Sequence, residues 1–268
     1  MTRKFNRIGA ALITSLALAS TANATIWTDT PGWTLFEDDE GMAAGPGWGG
    51  QYFDAEAFYY KLVGYQLSIG LQTGFEGIAT DGSYVHTDGR TYHSGDLGLT
   101  INGDDYGVDF GFYTMNYDQA HYSGSSFDPM EVDMGTGDGI DVAGLYESVT
   151  WDLGVYQGHA VSNPFALNGG SLVAGANFSQ SKGAIEPGSS SYYHIVSFEV
   201  SSLGIDWTTP LSVDAHWTMS CGNDNINGNF NVAIDSSFDT PVPEPASLSL
   251  LGLGLLAMGG LRRRRAKA

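Results

Sequence analysis

The sequence predicts an all-β protein: an antiparallel β-sandwich body, preceded by an N-terminal signal peptide and followed by a short C-terminal transmembrane helix. Three observations favour this fold class. Gly and Asn interrupt the chain every few residues, short runs rich in Val, Ile, Tyr and Phe alternate with period two, and long helical periodicity is absent from the sequence. A barrel is the alternative arrangement of the same strands.

Residues 1–24 are typical of a secretory signal peptide. Three basic residues lie within the first seven positions, and residues 8–18 are apolar and uncharged. Ala22 and Ala24 form the small-residue pattern that precedes cleavage, so Thr25 would be the first mature residue. A membrane anchor is the alternative, but the apolar run is shorter than the roughly 20 residues that a spanning helix needs.

The body, residues 25–240, is strongly acidic. The chain has 30 Asp and Glu against 11 Lys and Arg, a formal net charge of −19, and the body holds all but one of the acids and only three of the basic residues. Such a surface repels phosphate groups, which excludes nucleic acid as a partner. A single Cys excludes an intramolecular disulfide framework and a Cys-rich zinc site.

Alternating apolar and polar residues predict the strands of the body in order. The pattern is clearest in residues 65–73, where Leu67, Ile69 and Leu71 share one face. A turn over residues 61–65 would join this strand to the preceding one. Asn102 and Gly103 favour a second hairpin, because both residue types tolerate positive φ. The predicted strands are 58–63, 65–73, 97–101, 106–114, 149–157, 171–178, 192–200, 211–220 and 230–234.

Strands at this spacing fit a single large sandwich. Two smaller domains are the alternative, with the Gly-rich acidic stretch 128–141 as their boundary. A β-solenoid would need a short fixed repeat, and the sequence has none.

Residues 241–268 consist of three parts in a fixed order: a proline-rich segment, an apolar stretch at 247–261 and a basic cluster. As a helix the apolar stretch would cover about 24 Å, somewhat less than a hydrocarbon core of about 30 Å. Arginines at its end would stay on the cytoplasmic side. The motif residues and the basic residues are Val242, Pro243, Glu244, Pro245, Arg262, Arg263, Arg264 and Arg265.

This tail resembles the PEP-CTERM sorting signal of Gram-negative bacteria, over about one-tenth of the chain. The resemblance implies an exosortase partner, a membrane transpeptidase that recognises the motif, and export to the cell surface or an extracellular polysaccharide matrix. It implies nothing about the chemistry of the body. Residues 50–60, the strand at 65–73 and segments 95–99 and 106–110 are similar to a sandwich module of other surface-sorted proteins, itself distantly similar to carbohydrate-binding sandwiches.

Calcium is the first candidate ligand of the body. Acidic residues cluster beside Gly and Asn, and Ca²⁺ takes about six to eight oxygen ligands. Solvated turns are the alternative, because Asp, Asn and Gly also dominate turns, and no stretch matches the EF-hand pattern. The candidate ligands are Asp104, Asp105, Asp109, Asp138 and Asp141.

Sugar-stacking aromatic rings are the second candidate feature. Trp33 and Trp48 lie beside Gly and Pro residues and are the predicted platforms, whereas the other aromatic residues of the N-terminal third are predicted to fill the core. Motifs for nucleophilic, zinc-dependent or phosphate-transfer catalysis are missing from the sequence. Cys221 follows His216 by five residues, which places the pair on opposite faces of a strand, so Cys221 is predicted to be buried.

The sequence therefore predicts an exported protein of the cell surface or extracellular matrix, associated with biofilm or exopolysaccharide and without catalytic activity. A carbohydrate-binding adhesin, stabilised by calcium, is the alternative, and a glycan-cleaving enzyme is the third hypothesis. The predicted partners are the exosortase, the membrane through the tail helix before processing, and polysaccharide.

Overall fold

The structure, a computed structural model, describes residues 26–38, 50–87, 89, 91–112, 140–152, 164–206, 209–222 and 224–234. The predicted signal peptide with Ala22, Ala24 and Thr25, the sorting tail at 241–268, Trp48 and Asp138 lie outside the described residues. Among the residues that are described, no helix is both long and apolar enough to span a bilayer.

Strands dominate the described part of the chain, and the all-β prediction is confirmed. The helical segments are one short α-helix, α1 (Ile26–Asp29), and 3₁₀ turns at Gly50–Phe53, Glu76–Ala79 and Val200–Leu203. The strands are β1 (Thr34–Asp38), β2 (Ala55–Val63), β3 (Gln66–Thr73), β4 (Ser83–Val85), β5 (Thr91–His93), β6 (Leu97–Ile101), β7 (Asp104–Asp109), β8 (Gly144–Asp152), β9 (Ala166–Leu172), β10 (Ser179–Ala184), β11 (Tyr192–Glu199), β12 (Leu211–Thr218) and β13 (Asn225–Val232).

These strands form two large antiparallel sheets and a small two-stranded one. The five-stranded sheet has the order β1-β2-β3-β11-β10, and the six-stranded sheet has the order β13-β12-β6-β7-β8-β9. The small sheet pairs β4 with β5. The chain therefore leaves the first sheet after β3, builds β6 to β9 of the second and returns to the first for β10 and β11. The last described strands, β12 and β13, belong to the second sheet.

Side chains from the two large sheets meet in one hydrophobic core. Period-two alternation turns Leu67, Ile69 and Leu71 inward, each at most 2% exposed, as the sequence predicted. From the other side, the ring of Phe230 stacks on Tyr60 with their centroids 3.9 Å apart. The core cluster runs along the chain from Phe53 to Phe230, on both sides of the predicted boundary at 128–141.

Both predicted hairpins are present with shorter turns. Asn102 and Gly103 have φ of 52° and 93°, and Ile101 pairs directly with Asp104, so β7 begins two residues earlier than predicted. The predicted turn over 61–65 narrows to residues 64 and 65, because Val63 already pairs with Gln66. Both turns take a residue with positive φ, which Gly and Asn supply at low cost.

Candidate functional site

The predicted calcium ligands divide between the two ends of β7. Asp104 and Asp105 are exposed at its start, and Thr100 Oγ1 donates a 2.8 Å hydrogen bond to Asp105 Oδ1. Asp109 lies four residues further along, about 13 Å away in a strand, whereas oxygen ligands lie about 2.3–2.6 Å from Ca²⁺. One ion therefore cannot join Asp109 to the hairpin pair. Within the described ranges, no group of three or more His, Cys, Asp and Glu side chains is arranged to hold a metal ion. Because Asp138 is outside those ranges, calcium binding stays a prediction.

Asp109 instead forms a buried carboxyl pair with Asp96, a residue that sequence reasoning missed. Asp96 is 3% exposed and Asp109 is fully buried. Asp96 accepts backbone hydrogen bonds from Leu167 N at 2.9 Å and Phe110 N at 3.3 Å, which ties β6, β7 and β9 together. Asp109 Oδ1 accepts a hydrogen bond from Gly111 N, while Oδ2 is buried without a hydrogen-bond partner.

Burial sets the protonation of this pair. Desolvation raises the pKa of Asp109 to about 7, and the nearby charge of Asp141 adds to the effect. Desolvation also raises the pKa of Asp96 well above its usual value, with a further contribution from Asp109. A carboxyl that has lost water without gaining a positive neighbour holds its proton more tightly. The protonation of this buried pair is therefore coupled to the stability of the fold.

The predicted sugar platform at Trp33 lies in an aromatic cluster on the outer face of the five-stranded sheet. Trp33 is half-buried, and its ring meets the ring of Trp27 edge-on with centroids 5.2 Å apart. Trp27 stacks on Tyr59 at 4.3 Å and donates a hydrogen bond from Nε1 to Gln72 Oε1. Trp27 also covers Gly70, where an added Cβ would come within 2.5 Å of its ring. These contacts dock α1 on the sheet, and sugar stacking by Trp33 stays a prediction.

A groove of about 670 Å³ lies on the outer face of the six-stranded sheet. Gly98 lies in the floor of the groove. The groove is also lined by Pro164 and by the half-buried ring of Trp151. The polar side chains that line it come from β6, β7, β12 and β13. They are Thr100, Asp105, Asp214, His216, Asn227 and Asn229.

Strand register arranges most of these polar side chains in two rows. In one row, Asp105 pairs with Thr100, Thr100 with Asp214, and Asp214 with Asn229. In the other row, Gly98 pairs with His216, and His216 with Asn227. Directly paired residues project from the same face of a sheet with their Cβ atoms about 4.5–5.5 Å apart. The strand order thus collects residues from distant parts of the sequence into one polar surface.

His216 anchors one wall of the groove. Its Nε2 lies 2.9 Å from the carbonyl oxygen of Pro164, and its Nδ1 lies 2.7 Å from Asn227 Oδ1. Because a backbone carbonyl only accepts, Nε2 donates this bond. Burial lowers the pKa of His216, although both hydrogen bonds act in the opposite direction. The ring therefore holds Pro164 in place beside Gly98.

Comparison with known protein families identifies the tail. A family model described as the PEP-CTERM protein-sorting motif matches residues 241–265. The chain carries a PEP-CTERM sorting motif. The match contains the predicted motif Val242 to Pro245 and reaches Arg265, which confirms the resemblance found in the sequence. Comparisons with curated proteins and with solved structures gave no match.

The PEP-CTERM motif indicates how the protein is sorted. It implies that the protein is exported and is processed by an exosortase on the way towards the cell surface. This information is contained in 25 residues outside the described body. The chemistry of the body has to be inferred from its own residues.

Proposed function

We propose that the protein is an exported, exosortase-sorted component of the cell surface or extracellular matrix, built on an antiparallel β-sandwich and without catalytic activity. The observation that carries this proposal is the PEP-CTERM motif at residues 241–265. In the proposal the signal peptide at 1–24 directs export, and the tail helix holds the chain in the membrane until the exosortase acts. The acidic body then remains outside the cell, associated with matrix polysaccharide.

The positions of the reactive side chains support a non-catalytic body. The carboxyl pair Asp96 and Asp109 is buried at 3% and 0% exposure, so a glycan cannot approach it. Cys221 is 1% exposed in the core, as the sequence predicted, whereas His216 lines the groove on the outer face. A thiol needs a base within hydrogen-bond reach to act as a nucleophile, and these two side chains lie on opposite faces of the sheet.

The adhesin alternative requires a surface that binds sugars. The groove between Trp151, Asp214 and Asn227 is the candidate for such a surface, because it combines an aromatic ring with convergent polar groups. A matrix protein with this groove would hold polysaccharide without cleaving it.

The sorting part of the proposal is tested by altering the motif. In cells with an active exosortase, we expect the wild-type protein to lose residues that follow the motif and to appear in the surface or matrix fraction. A variant with Pro243→Ala, Glu244→Ala and Pro245→Ala should stay uncut in the membrane fraction, because the enzyme no longer recognises it. Thr240→Ala, directly before the matched segment, is the matched control and should be sorted as wild type.

Two results would contradict the proposal. One is a surface-located protein that still carries residues 246–268 in the presence of the exosortase. The other is release of reducing sugar when the purified chain is incubated with matrix polysaccharide, which would show catalysis.

A further inference from the structure

We propose that the groove on the outer face of the six-stranded sheet binds a polysaccharide of neutral sugars. This inference names a class of ligand for the adhesin alternative. It rests on the proposed function only for where the protein meets polysaccharide, outside the cell. The groove belongs to the body, so its ligand can be tested on purified protein whether or not the tail is sorted as proposed.

The polar groups of the groove match the hydrogen-bonding needs of sugar hydroxyls. A hydroxyl both donates and accepts, so a sugar needs acceptors and donors side by side. Asp105 and Asp214 supply carboxylate acceptors, and Asn227 and Asn229 supply amides that do both. Register places Asp214 between Thr100 and Asn229, so acceptors and mixed groups alternate across neighbouring strands. Hydrogen bonds to carboxylates are among the stronger ones available.

The groove also has an apolar surface and an open side. Trp151 is half-buried at one wall of the groove. The exposed part of its ring can therefore contact the apolar face of a sugar. Asp105, Asp214, Asn227 and Asn229 are exposed to solvent, so the floor is accessible along the surface. A polymer can therefore lie across the sheet without threading an end into a closed cavity.

Charge selects the class of polysaccharide. The groove has two carboxylates, and neither Lys nor Arg is among the residues that line it. Polyuronates and sulfated glycans would therefore be repelled, both by the groove and by the net charge of −19. Neutral sugars avoid this repulsion, and their hydroxyls can still donate hydrogen bonds to the carboxylates.

Several of these side chains are held in place in the free protein. Thr100 donates to Asp105 at 2.8 Å, Asn227 Nδ2 donates to Asn225 Oδ1, and His216 contacts Asn227 and Pro164. Ordering a side chain on binding costs conformational entropy, so side chains that are already held in place lose less entropy when a ligand binds. This organisation distinguishes the groove from the merely solvated outer face that any antiparallel sheet can have.

The test measures binding of the full chain, purified in mild detergent, to a panel of immobilised polysaccharides. The neutral probes are dextran, laminarin, xylan and galactomannan; alginate is the polyuronate and chitosan the polycation. We expect binding to at least one neutral polymer, retained in about 0.5 M NaCl because hydroxyl recognition is not screened as charge attraction is. We expect no binding to alginate.

Variants locate the binding in the groove. Asp214→Asn keeps the side-chain shape and removes a charged acceptor, so affinity for the bound polymer should fall about tenfold or more. Trp151→Ala should cause a loss of similar size. Ser212→Ala, on the same strand as Asp214, and Asn231→Ala, an exposed residue of β13, lie outside the groove; they are the matched controls and should bind as wild type. Melting curves establish that each variant is folded. If Trp151→Ala does not fold, the conservative variant Asp214→Asn still decides the test.

Three outcomes would overturn the inference. The first is that no neutral polymer binds. The second is that Asp214→Asn and Trp151→Ala bind as tightly as the controls. The third is binding to chitosan alone that disappears at high salt, which would be unspecific attraction to an acidic surface. None of these outcomes bears on whether the motif is sorted, so the two proposals fail separately.

Discussion

Asp109 and Asp104 illustrate how residues that look alike in the sequence differ in the fold. Both are aspartates of β7, and the sequence presents both as candidate calcium ligands. Asp104 is exposed beside the hairpin turn, whereas Asp109 is fully buried and has one oxygen without a hydrogen-bond partner. What separates them is burial, which the alternation of apolar and polar residues along β7 does not reveal.

The buried pair should make the stability of the protein depend on pH. The pKa of Asp109 is raised from 3.8 to about 7 in the fold. Between these values the carboxyl is protonated when folded and ionised when unfolded, so stability falls as pH rises, by up to about 1.4 kcal/mol per pH unit for each such proton. Asp109→Asn keeps an acceptor for Gly111 and cannot ionise. We expect its melting temperature to exceed that of wild type near pH 8 and to vary less with pH.

The control for this prediction is Asp104→Asn, which removes the same charge from the exposed end of the same strand. Its melting temperature should follow the wild-type dependence on pH in a series between about pH 4.5 and pH 8.5. If Asp109→Asn and Asp104→Asn gave parallel curves, general charge repulsion and not the buried pair would be the cause.

At the scale of elements, the central strands were predicted well and the edges poorly. β6 has the predicted bounds, and β3, β11 and β12 differ from theirs by one or two residues, because each turns one alternating apolar face to the core. β10 was missed, since its residues are almost all exposed and carry no apolar pattern. β8 begins five residues before the prediction: its register shifts around Ser148, whose φ is 54°, and a bulge breaks the period of two.

The docking of α1 on the five-stranded sheet should depend on Gly70. An added Cβ there would come within 2.5 Å of the Trp27 ring. We expect Gly70→Ala to displace Trp27, destabilise the protein by about 1–3 kcal/mol and shift Trp fluorescence towards that of exposed indole. Urea unfolding followed by fluorescence measures both effects.

Gly98→Ala is the matched control, because it makes the same change in a central strand of the other sheet. There an added Cβ meets its nearest atoms at 3.7 Å, an ordinary contact. Its free energy of unfolding should change by less than that of Gly70→Ala. Equal effects would mean that the Trp27 contact does not hold α1 on the sheet.

At the scale of the whole molecule, the two functional regions differ in how far the sequence can reveal them. The sorting motif is a short linear segment, so its residues are adjacent and the order of its parts is visible directly. The groove is assembled from Thr100, Trp151 and Asn229 only after the strands take the order β13-β12-β6-β7-β8. Each of its residues is an ordinary polar or aromatic residue in its own segment, so the alternation that predicts strands does not predict the site.

Calcium binding would reduce the net negative charge of the whole molecule. The body has 29 acidic residues and three basic ones, so a bound divalent ion should relieve repulsion as well as join ligands. The two ends of β7 are too far apart to share an ion, and Asp141 acts electrostatically on both buried carboxyls. We therefore expect any specific site to include Asp141, which precedes β8, and not the hairpin.

Melting curves of the full chain with millimolar calcium and then with chelator test this placement. At about 100-fold excess over Kd, one site adds about 2.7 kcal/mol and shifts Tm by several degrees. We expect this shift with calcium and not with magnesium at equal ionic strength, and we expect Asp141→Asn to lose it while Asp104→Asn keeps it. A shift that magnesium reproduces would be charge screening. A shift lost in Asp104→Asn would place the ion at the hairpin, and no shift would assign the predicted ligands to solvated turns.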